Sequence, residues 1–457
     1  MVTVYSPEDE SAIACQVFRG EWRYNARLSE YCRAGVQMAN SSTSAKRGLL
    51  LAFLAGMAVI HAALFWQNRE KLHAGYQDFT IFYTAGKMLG RGDGARLYDD
   101  ALQYRTQQEF ASKVKIRDGP LPYNHIPIEG AIFVPLAKLA YFPAYVLWDL
   151  CSFMALTGAL GTLRRRVPAF RDTPLLLWVV MGVAFFPTFV VLLQGQDNLL
   201  LLWLFALAYS AMHEGANFSA GCWLGLGLFR FNLTLPLLAL LGLRKGWRMV
   251  AGFATAVAAT TLASVALVGW QQMVRYPQYV LSGERTRVGY IVSGLMPNLR
   301  GLVETIVAGG NSTRLSVGTT ALLSVVLLWL YFRRSQTSDA NQQFDMRVSL
   351  AIVTAALVSY HAYLHDLSVL LIPVVLVLNY CQLRPEAWKR WALVAPMGIL
   401  FVSPIYIALW FRMKLSCLLS VVLLIWFFGI ARELSRHARS GIVGASCGSV
   451  EQSEVSP

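Results

Sequence analysis

Ionisable residues that border apolar segments are the first candidates for chemistry in this sequence. Asp78 lies in the run Gly75-Tyr76-Gln77-Asp78-Phe79, which follows the first apolar segment of the chain. A carboxylate held at a partly desolvated interface can take a proton from the hydroxyl group of a sugar or a lipid. The alternative is a helix N-cap followed by interfacial aromatic residues. Position alone leaves both interpretations open.

A single arginine, Arg230, interrupts a long apolar stretch and separates the segments 218–229 and 231–243. An arginine in such a place must either extend to the membrane surface or meet an anion. The phosphate of a lipid is the anion that a membrane supplies. The sequence therefore makes Arg230 a candidate for contact with a lipid phosphate.

Histidines and acidic residues border or interrupt other apolar segments. His361 and the pair His365-Asp366 precede an apolar helix, and Asp149 lies inside another. Ionisable residues at membrane depth usually mark a site or a pathway. For the histidines a capped helix turn is an equal alternative, and for Asp149 a hydrogen-bonded structural carboxylate is favoured over a proton or ion relay.

A second basic region lies in the segment 275–314. Arginines outnumber acidic residues there, on the side of the membrane where few positive charges are expected, which favours an anionic ligand over a merely solvated face. The candidates for binding the phosphate of that ligand, besides Arg230, are Arg285, Arg287 and Arg300.

Other common sites are not indicated. The seven cysteines are scattered without a CxxC pair, and no GxxxxGK[ST] or HExxH sequence is present. We therefore predict free thiols, no metal site and no cofactor, and leave a divalent-metal requirement open.

These candidates must be positioned by membrane helices, because the composition points to a polytopic membrane protein. Hydrophobic residues make up 56% of the 457 residues and charged residues only 14%, whereas a soluble protein carries about 25% charged residues. Lys and Arg together outnumber Asp and Glu by 40 to 26. Cytoplasmic loops account for most of that excess, so we predict no nucleic-acid partner.

A spanning helix needs roughly 20 apolar residues, and uncharged segments of suitable length recur between residues 48 and 431. If 218–229 and 231–243 each cross, every short basic loop falls on the cytoplasmic side. This gives about twelve transmembrane helices, and a re-entrant hairpin would have the same parity.

The domain organisation follows from this topology. We predict a cytoplasmic polar segment at 1–46, a transmembrane domain at 47–431 and a disordered cytoplasmic tail at 432–457. Two large extracytoplasmic loops are expected at 67–125 and 275–314, the first of them folded into helices against the membrane surface.

The order and spacing of several short motifs resemble those of glycosyltransferase family 87, the polyprenol-phosphate-mannose-dependent mannosyltransferases of the GT-C superfamily. The motifs are Asp78-Phe79, Phe82-Tyr83, Ala85-Gly86, Leu97-Tyr98-Asp99, Pro135-Leu136-Ala137, Trp148, Gly195-Gln196-Asp197-Asn198, Ala220-Gly221, Pro297-Asn298 and His365-Asp366-Leu367. One departure is Tyr123-Asn124-His125-Ile126-Pro127, where the family commonly has Tyr-x-Pro-Pro.

The resemblance implies a GT-C fold, with Asp78 as the catalytic base and Arg230, usually a lysine in the family, near the donor phosphate. It also implies that His365 is an active-site residue. The other polar residues that we expect at the site are Asp366, Asn298, Gln196, Asn198, Tyr83 and Tyr123.

The function implied by residues and resemblance together is an inverting hexosyltransferase of the bacterial inner membrane. The donor would be a polyprenyl-phosphate sugar, with mannose as the expected hexose, and the acceptor an extracytoplasmic glycan or glycolipid surrounded by membrane lipids. The alternative is a transporter or lipid-sugar flippase that uses Asp149, Arg230 and His365 as pathway residues.

Overall fold

The computed structural model of the protein describes residues 48–114, 121–286, 292–307, 313–334 and 341–448. Every regular element in these ranges is helical. The chain forms two compact units, Met1–Gly56 and Met57–Pro457, and the first is described only from residue 48 onward.

Twenty helices are formed by the described residues. They are α1 (Gly48–Gln67), α2 (Arg69–Ala74), α3 (Phe79–Gly90), α4 (Asp100–Ala111), α5 (Pro127–Ile132), α6 (Tyr141–Arg164), α7 (Leu175–Ala184), α8 (Phe186–Gln194), α9 (Asn198–His213), α10 (Asn217–Leu226), α11 (Phe231–Lys245), α12 (Trp247–Val268), α13 (Trp270–Thr286), α14 (Leu299–Val307), α15 (Thr313–Arg334), α16 (Asn341–Val358), α17 (Leu371–Leu383), α18 (Trp391–Ile399), α19 (Ser403–Ile407) and α20 (Leu419–Gly448).

Shorter helical turns join several of these helices. The 3-10 turns are Asp93–Arg96, Leu136–Lys138, Pro168–Phe170, Gly227–Arg230, Ser293–Leu295, Leu364–Leu370, Pro385–Lys389 and Ser416–Leu418, and a π-helical turn covers Ala408–Met413.

Seven helical segments of the described chain are long and apolar enough to cross a membrane, and two bent pairs raise the number to nine. The bent pairs, which turn by 75° and 68°, are α7 with α8 and α18 with the segment Ser403–Met413. The prediction of an all-α polytopic membrane protein is confirmed. The number of about twelve spans stays a prediction.

The segment Asn217–Leu243 is long enough for one span, yet packing shows that it doubles back. A Cβ on Gly221 would lie 2.0 Å from the carbonyl oxygen of Met249, and one on Gly252 would lie 2.0 Å from that of Phe218. The start of α10 therefore lies against the start of α12, which follows the end of α11 by two residues. Because the end of α11 and the start of α10 lie at the same level, the chain reverses at the turn Gly227–Arg230.

Helices α10 and α11 form a hairpin, and the length of α11 places the turn between them far from the ends where α10 begins and α11 ends. The fifteen residues of α11 extend about 22 Å at 1.5 Å per residue. The turn that carries Arg230 consequently lies far from Lys245 and close to the start of α9, where Arg230 meets Asp197.

The opposite end of the helices collects basic side chains. Tyr209, near the end of α9, donates a hydrogen bond to Asp345, and Asn379 also donates to Asp345. The next residue, Tyr380, donates to Glu433 of α20. We call this the basic end, and the arginines that make side-chain contacts there include Arg166, Arg334, Arg390 and Arg436.

The predicted first loop, 67–125, contains α2, α3 and α4. Helix α3 packs through aromatic residues: the ring of Phe82 stacks on Phe133 at 4.9 Å, and the ring of Phe79 meets Tyr141 at 5.5 Å. Gly86 allows a close approach, because a Cβ there would lie 2.5 Å from the carbonyl oxygen of Phe133. This packing fixes the start of α3, and Asp78 with it.

The other predicted segments are described only in part. Residues 1–46 lie outside the described ranges, and α13 and α14 occupy parts of 275–314. Helix α20 continues to Gly448, past residue 432, where the tail was predicted to begin. The four cysteines recorded as free thiols are Cys151, Cys222, Cys381 and Cys417.

Replacing Gly252 with alanine should weaken the contact between α10 and α12. The added methyl group would meet the backbone of Phe218, and overpacking of this kind costs about 1–3 kcal/mol. Gly161→Ala in α6 is the matched control, because no atom outside its own stretch of helix lies within 4 Å of its Cβ position. We expect a lower unfolding temperature of the purified protein for Gly252→Ala only, and equal temperatures for both variants would contradict the hairpin packing.

Candidate active site

Asp78 occupies the N-cap position of α3, but its side chain makes no capping hydrogen bond. The chain enters this position after Gly75, which has a φ of +88°. The Asp78 Oδ2 atom accepts a hydrogen bond of 2.7 Å from the Nε2 atom of Gln196. The half-buried carboxylate is thus oriented by one amide, and the N-cap alternative does not account for its contacts.

The segment Gln196-Asp197-Asn198 connects α8 to α9 and supplies three polar side chains. Gly195, with a φ of +63°, ends α8, and a Cβ at this glycine would lie 2.7 Å from the Cβ of Phe79. This glycine lets the segment lie directly against the start of α3. The Oε1 atom of Gln196 also accepts a hydrogen bond from Arg230, so the glutamine links Asp78 to Arg230.

Arg230 forms a buried ion pair with Asp197. Its Nε atom lies 2.8 Å, and its Nη2 atom 2.5 Å, from Asp197 Oδ1. The two side chains are 11% and 2% exposed. Within the described chain, Nη1 of Arg230 makes no hydrogen bond, so this nitrogen can still donate to a ligand. The predicted contact with a donor phosphate is not tested by these contacts and stays a prediction.

Asp366 lies in the 3-10 turn Leu364–Leu370 and accepts two hydrogen bonds from outside this turn. The Nδ2 atom of Asn198 and the backbone nitrogen of Tyr363 each donate to it at 2.8 Å. The Nε2 atom of His365 lies 3.6 Å from Asp366 Oδ2. Because Asp197, the partner of Arg230, directly precedes Asn198, six predicted site residues form one polar cluster: Asp78, Gln196, Asn198, Arg230, His365 and Asp366.

Sequence reasoning missed two members of this cluster, His125 and Glu129. The Nδ1 atom of His125 lies 3.0 Å from Glu129 Oε2, and both residues are buried. A ligand atom from each of His125, Glu129 and Asp197 lies within 4.8 Å of the others. His125 lies two residues before α5 and Glu129 lies in its first turn, so the pairing depends on the turn that enters the helix, and a histidine and a glutamate on either side of Pro127 are the signal that could have revealed them.

Burial controls protonation in this group. It raises the pKa of Glu129 to about 7 and lowers the pKa of His125 to about 4. Burial also raises the pKa of Asp197, and the positive charge of Arg230 opposes that shift. The neutral form of His125 is therefore favoured at neutral pH.

In the described chain the hydroxyls of Tyr83 and Tyr123 make no hydrogen bond to the cluster, although the ring of Tyr123 lies 5.6 Å from the ring of His125. The hydroxyl of Tyr83 donates to the carbonyl oxygen of Leu139 at 2.7 Å, and that of Tyr123 to the carbonyl oxygen of Ile126 at 2.7 Å. Both tyrosines are buried. Their hydroxyls hold backbone segments around the site.

Asn298 and Arg300 lie beside the cluster, at the start of α14. Asn298 donates to the carbonyl oxygen of Ser359 and accepts from the backbone of Gly301, each at 2.8 Å. Arg300 pairs with Glu304 at 2.8 Å. The side chain of Arg285 and the whole of Arg287 lie outside the described part of the chain, so their predicted role has no structural counterpart here.

These features define an all-helical, multi-pass membrane protein with a buried polar cluster at the end of its helices opposite the basic end. The model of glycosyltransferase family 87 matches residues 125–359, just over half of the chain. The chain belongs to glycosyltransferase family 87. The matched range contains Gln196 and Arg230, whereas Asp78 and His365 lie outside it.

One curated relative is the polyprenol-phosphate-mannose-dependent alpha-(1-2)-phosphatidylinositol pentamannoside mannosyltransferase of Mycobacterium tuberculosis (strain CDC 1551 / Oshkosh). The two proteins are 26% identical over 227 residues, which cover 48% of this chain and 51% of the relative. The chain thus spans about half the length of the relative that it matches. No solved structure gave a significant match.

Removing the positive charge of Arg230 should destabilise the protein. Arg230→Met leaves Asp197 buried without its partner, and breaking a buried pair in this way costs about 3–5 kcal/mol. The double variant Asp197→Leu/Arg230→Met should recover much of that loss, because no charge of the pair remains. The measurement is the free energy of unfolding in detergent.

Arg96→Met provides the control for this cycle. The Arg96–Asp99 pair is at the surface, with side chains 55% and 34% exposed, and such pairs contribute about 1 kcal/mol at most. A loss in Arg230→Met no larger than that in Arg96→Met would show that the buried pair does not support the fold.

Proposed function

We propose that this protein is an integral membrane glycosyltransferase that moves a hexose from a polyprenyl-phosphate sugar to an extracytoplasmic glycan or glycolipid. The observation that carries the proposal is the Asp78 carboxylate. Gln196 orients this carboxylate, and it makes no capping hydrogen bond to helix α3. Membership of glycosyltransferase family 87 supports the reaction class. The name of the mycobacterial relative supports mannose and a polyprenol-phosphate donor.

Asp78 has the attributes of a general base. It is half-buried, so an acceptor hydroxyl can reach it. Its recorded side-chain contact is the neutral amide of Gln196, and no cation pairs with the carboxylate in the described chain. A positioned base of this kind contributes about 10²- to 10⁴-fold to a rate.

The proposed reaction is a single displacement with inversion at the anomeric carbon. The acceptor oxygen forms a bond to that carbon while its proton passes to Asp78. The bond from the anomeric carbon to the phosphate oxygen breaks, and the polyprenyl phosphate leaves with the electron pair. One carboxylate is sufficient for this route because no covalent sugar intermediate forms.

Arg230 is the proposed partner of the leaving phosphate. Gln196 connects it to Asp78, so one glutamine sets the separation between the base and the cation. Arg230 retains Nη1 for a ligand, and a guanidinium remains charged throughout the reaction. His365 and Asp366, held through Asn198, are proposed to line the same site.

The alternative of a transporter or flippase gains no comparable support. Asp149, one of its proposed pathway residues, makes no recorded hydrogen bond to the polar cluster, and its Oδ1 atom is buried without a hydrogen-bond partner. The transferase proposal relies on Asp78 and Arg230, which hydrogen bonds through Gln196 connect. The flippase proposal requires a contact between Asp149 and the polar cluster.

Asp78→Asn should abolish transfer while leaving the protein folded. The amide keeps the size of the side chain but cannot take the proton, so we expect a loss of at least about 10²-fold in turnover. The measurement is product formation from a synthetic polyprenyl-phosphate mannose in reconstituted vesicles, followed by mass spectrometry.

Asp99→Asn is the matched control for this experiment. Asp99 caps α4 by accepting from the backbone nitrogen of Leu102 at 3.0 Å, and asparagine caps a helix equally well. The control should keep full activity. Full activity of Asp78→Asn would exclude the proposed base, and lipid-sugar movement without a glycosidic product would favour the flippase.

We also propose that the Asp78 cluster faces the extracytoplasmic side of the bacterial inner membrane. The basic end then faces the cytoplasm, as the positive-inside rule requires. Alkaline phosphatase fused after Gly269, beyond α12, should be active, and the same enzyme fused after Arg334, at the end of α15, should be inactive. The reverse pattern of fusion activities would invert the proposed orientation.

A further inference from the structure

Three buried side chains at the edge of the polar cluster offer ligand atoms to a common point. His125, Glu129 and Asp197 each contribute one atom, and these atoms lie within 4.8 Å of one another. The exposed fractions of the three residues are 8%, 3% and 1%. The group is therefore an enclosed set of donors rather than a patch of surface carboxylates.

Each carboxylate of this group uses one oxygen and leaves the other without a partner. Glu129 Oε2 contacts His125, and Asp197 Oδ1 accepts from Arg230. Glu129 Oε1 and Asp197 Oδ2 are buried and make no hydrogen bond. A buried carboxylate oxygen without a partner is costly, so both oxygens call for a positive ligand or a proton.

The net negative charge around Arg230 also indicates that the site needs a positive ligand or a proton. Three carboxyl groups lie close to this one guanidinium, Glu129, Asp197 and Asp366, and Gln196 connects it to a fourth, Asp78. If all four are ionised, the formal charge of the cluster is −3. Three of these four carboxyl groups are buried, so an excess of this size must be offset before an anion can approach.

We propose that His125, Glu129 and Asp197 bind one divalent cation. Two carboxylate oxygens and one imidazole nitrogen suit Mn²⁺ or Zn²⁺, whereas Mg²⁺ and Ca²⁺ favour oxygen donors alone. In this arrangement Asp197 bridges two cations, with Oδ1 on Arg230 and Oδ2 on the metal. The described chain makes no hydrogen bond to the Nε2 atom of His125, so this nitrogen is also free to act as a ligand.

Burial of His125 is compatible with this role. A metal binds the neutral imidazole, and burial lowers the pKa of His125 to about 4. The pair of Glu129 and Asp197 could instead share a proton, which would satisfy one unpartnered oxygen without a metal. The two cases differ in whether the protein binds a cation at a saturable site.

The cation would have a defined consequence for the reaction, if the proposed function holds. Two added positive charges would change the formal charge of the cluster from −3 to −1, which would ease the approach of an anionic lipid phosphate to Arg230. The binding of the metal itself requires no sugar transfer, so it can be tested separately.

The experiment uses the full chain, purified in detergent, stripped with a chelator and titrated with Mn²⁺. The electron paramagnetic resonance signal of free Mn²⁺ reports the bound fraction. We expect one saturable site per chain, with affinity reduced at least about 10-fold in Glu129→Gln and His125→Gln. Zn²⁺ should compete with Mn²⁺ for this site.

Asp345→Asn is the matched control, because Asp345 is another buried carboxylate and lies at the basic end with Tyr209 and Asn379. This variant should bind Mn²⁺ as the unaltered protein does. Size-exclusion profiles and unfolding temperatures show whether each variant is folded.

A measurement on the unaltered protein keeps the proposal testable if a variant fails to fold. Electron spin echo modulation from ¹⁴N should appear in the Mn²⁺ complex, because His125 supplies a nitrogen ligand. Absence of a saturable site, absence of nitrogen modulation, or equal affinity in folded Glu129→Gln would overturn the cation site and favour the shared proton. If Asp78→Asn loses sugar transfer but binds Mn²⁺ normally, the cation site is supported independently of the proposed role of Asp78.

Discussion

The ion pair between Arg230 and Asp197 is the interaction on which the polar cluster depends. Its two side chains are almost fully removed from solvent, so neither charge can be left without the other. Arg230 comes from the turn between α10 and α11, and Asp197 from the link between α8 and α9. The pair therefore joins two parts of the helical bundle, and Gln196 extends the connection to Asp78.

Glycines determine whether that pair can form. Gly221 and Gly252 let α10 lie directly against α12, and this contact returns the end of α11 to the level where α10 began. Gly195 lets the Gln196 segment approach Phe79. Close backbone packing of this kind is common between membrane helices, where small residues replace the hydrophobic driving force. The polar site is thus assembled by residues that carry no chemistry of their own.

The cluster combines one cation with several carboxylates, and this imbalance shapes the chemistry that we propose. Asp78 is the carboxylate with access to solvent, whereas Glu129, Asp197 and Asp366 are buried. The buried groups hold Arg230 and one another in place, and the accessible group remains available for a proton. Two carboxylates in one site can have different roles when one is buried and the other is accessible, because burial changes their protonation and reactivity.

Local sequence properties determined the class of this protein. Hydropathy is summed over neighbouring residues, so the apolar segments predicted an all-helical membrane protein, and the order of short motifs indicated glycosyltransferase family 87. Asp78 and Arg230 stood out because each is a charge beside apolar sequence. The hydrogen bond from Gln196 to Asp78 spans 118 positions, and only tertiary packing could reveal it. The same holds for the approach of Glu129 to Asp197, and for the hydroxyls of Tyr83 and Tyr123, which donate to backbone carbonyl oxygens, because the partner of a buried polar group is decided by which helices pack together.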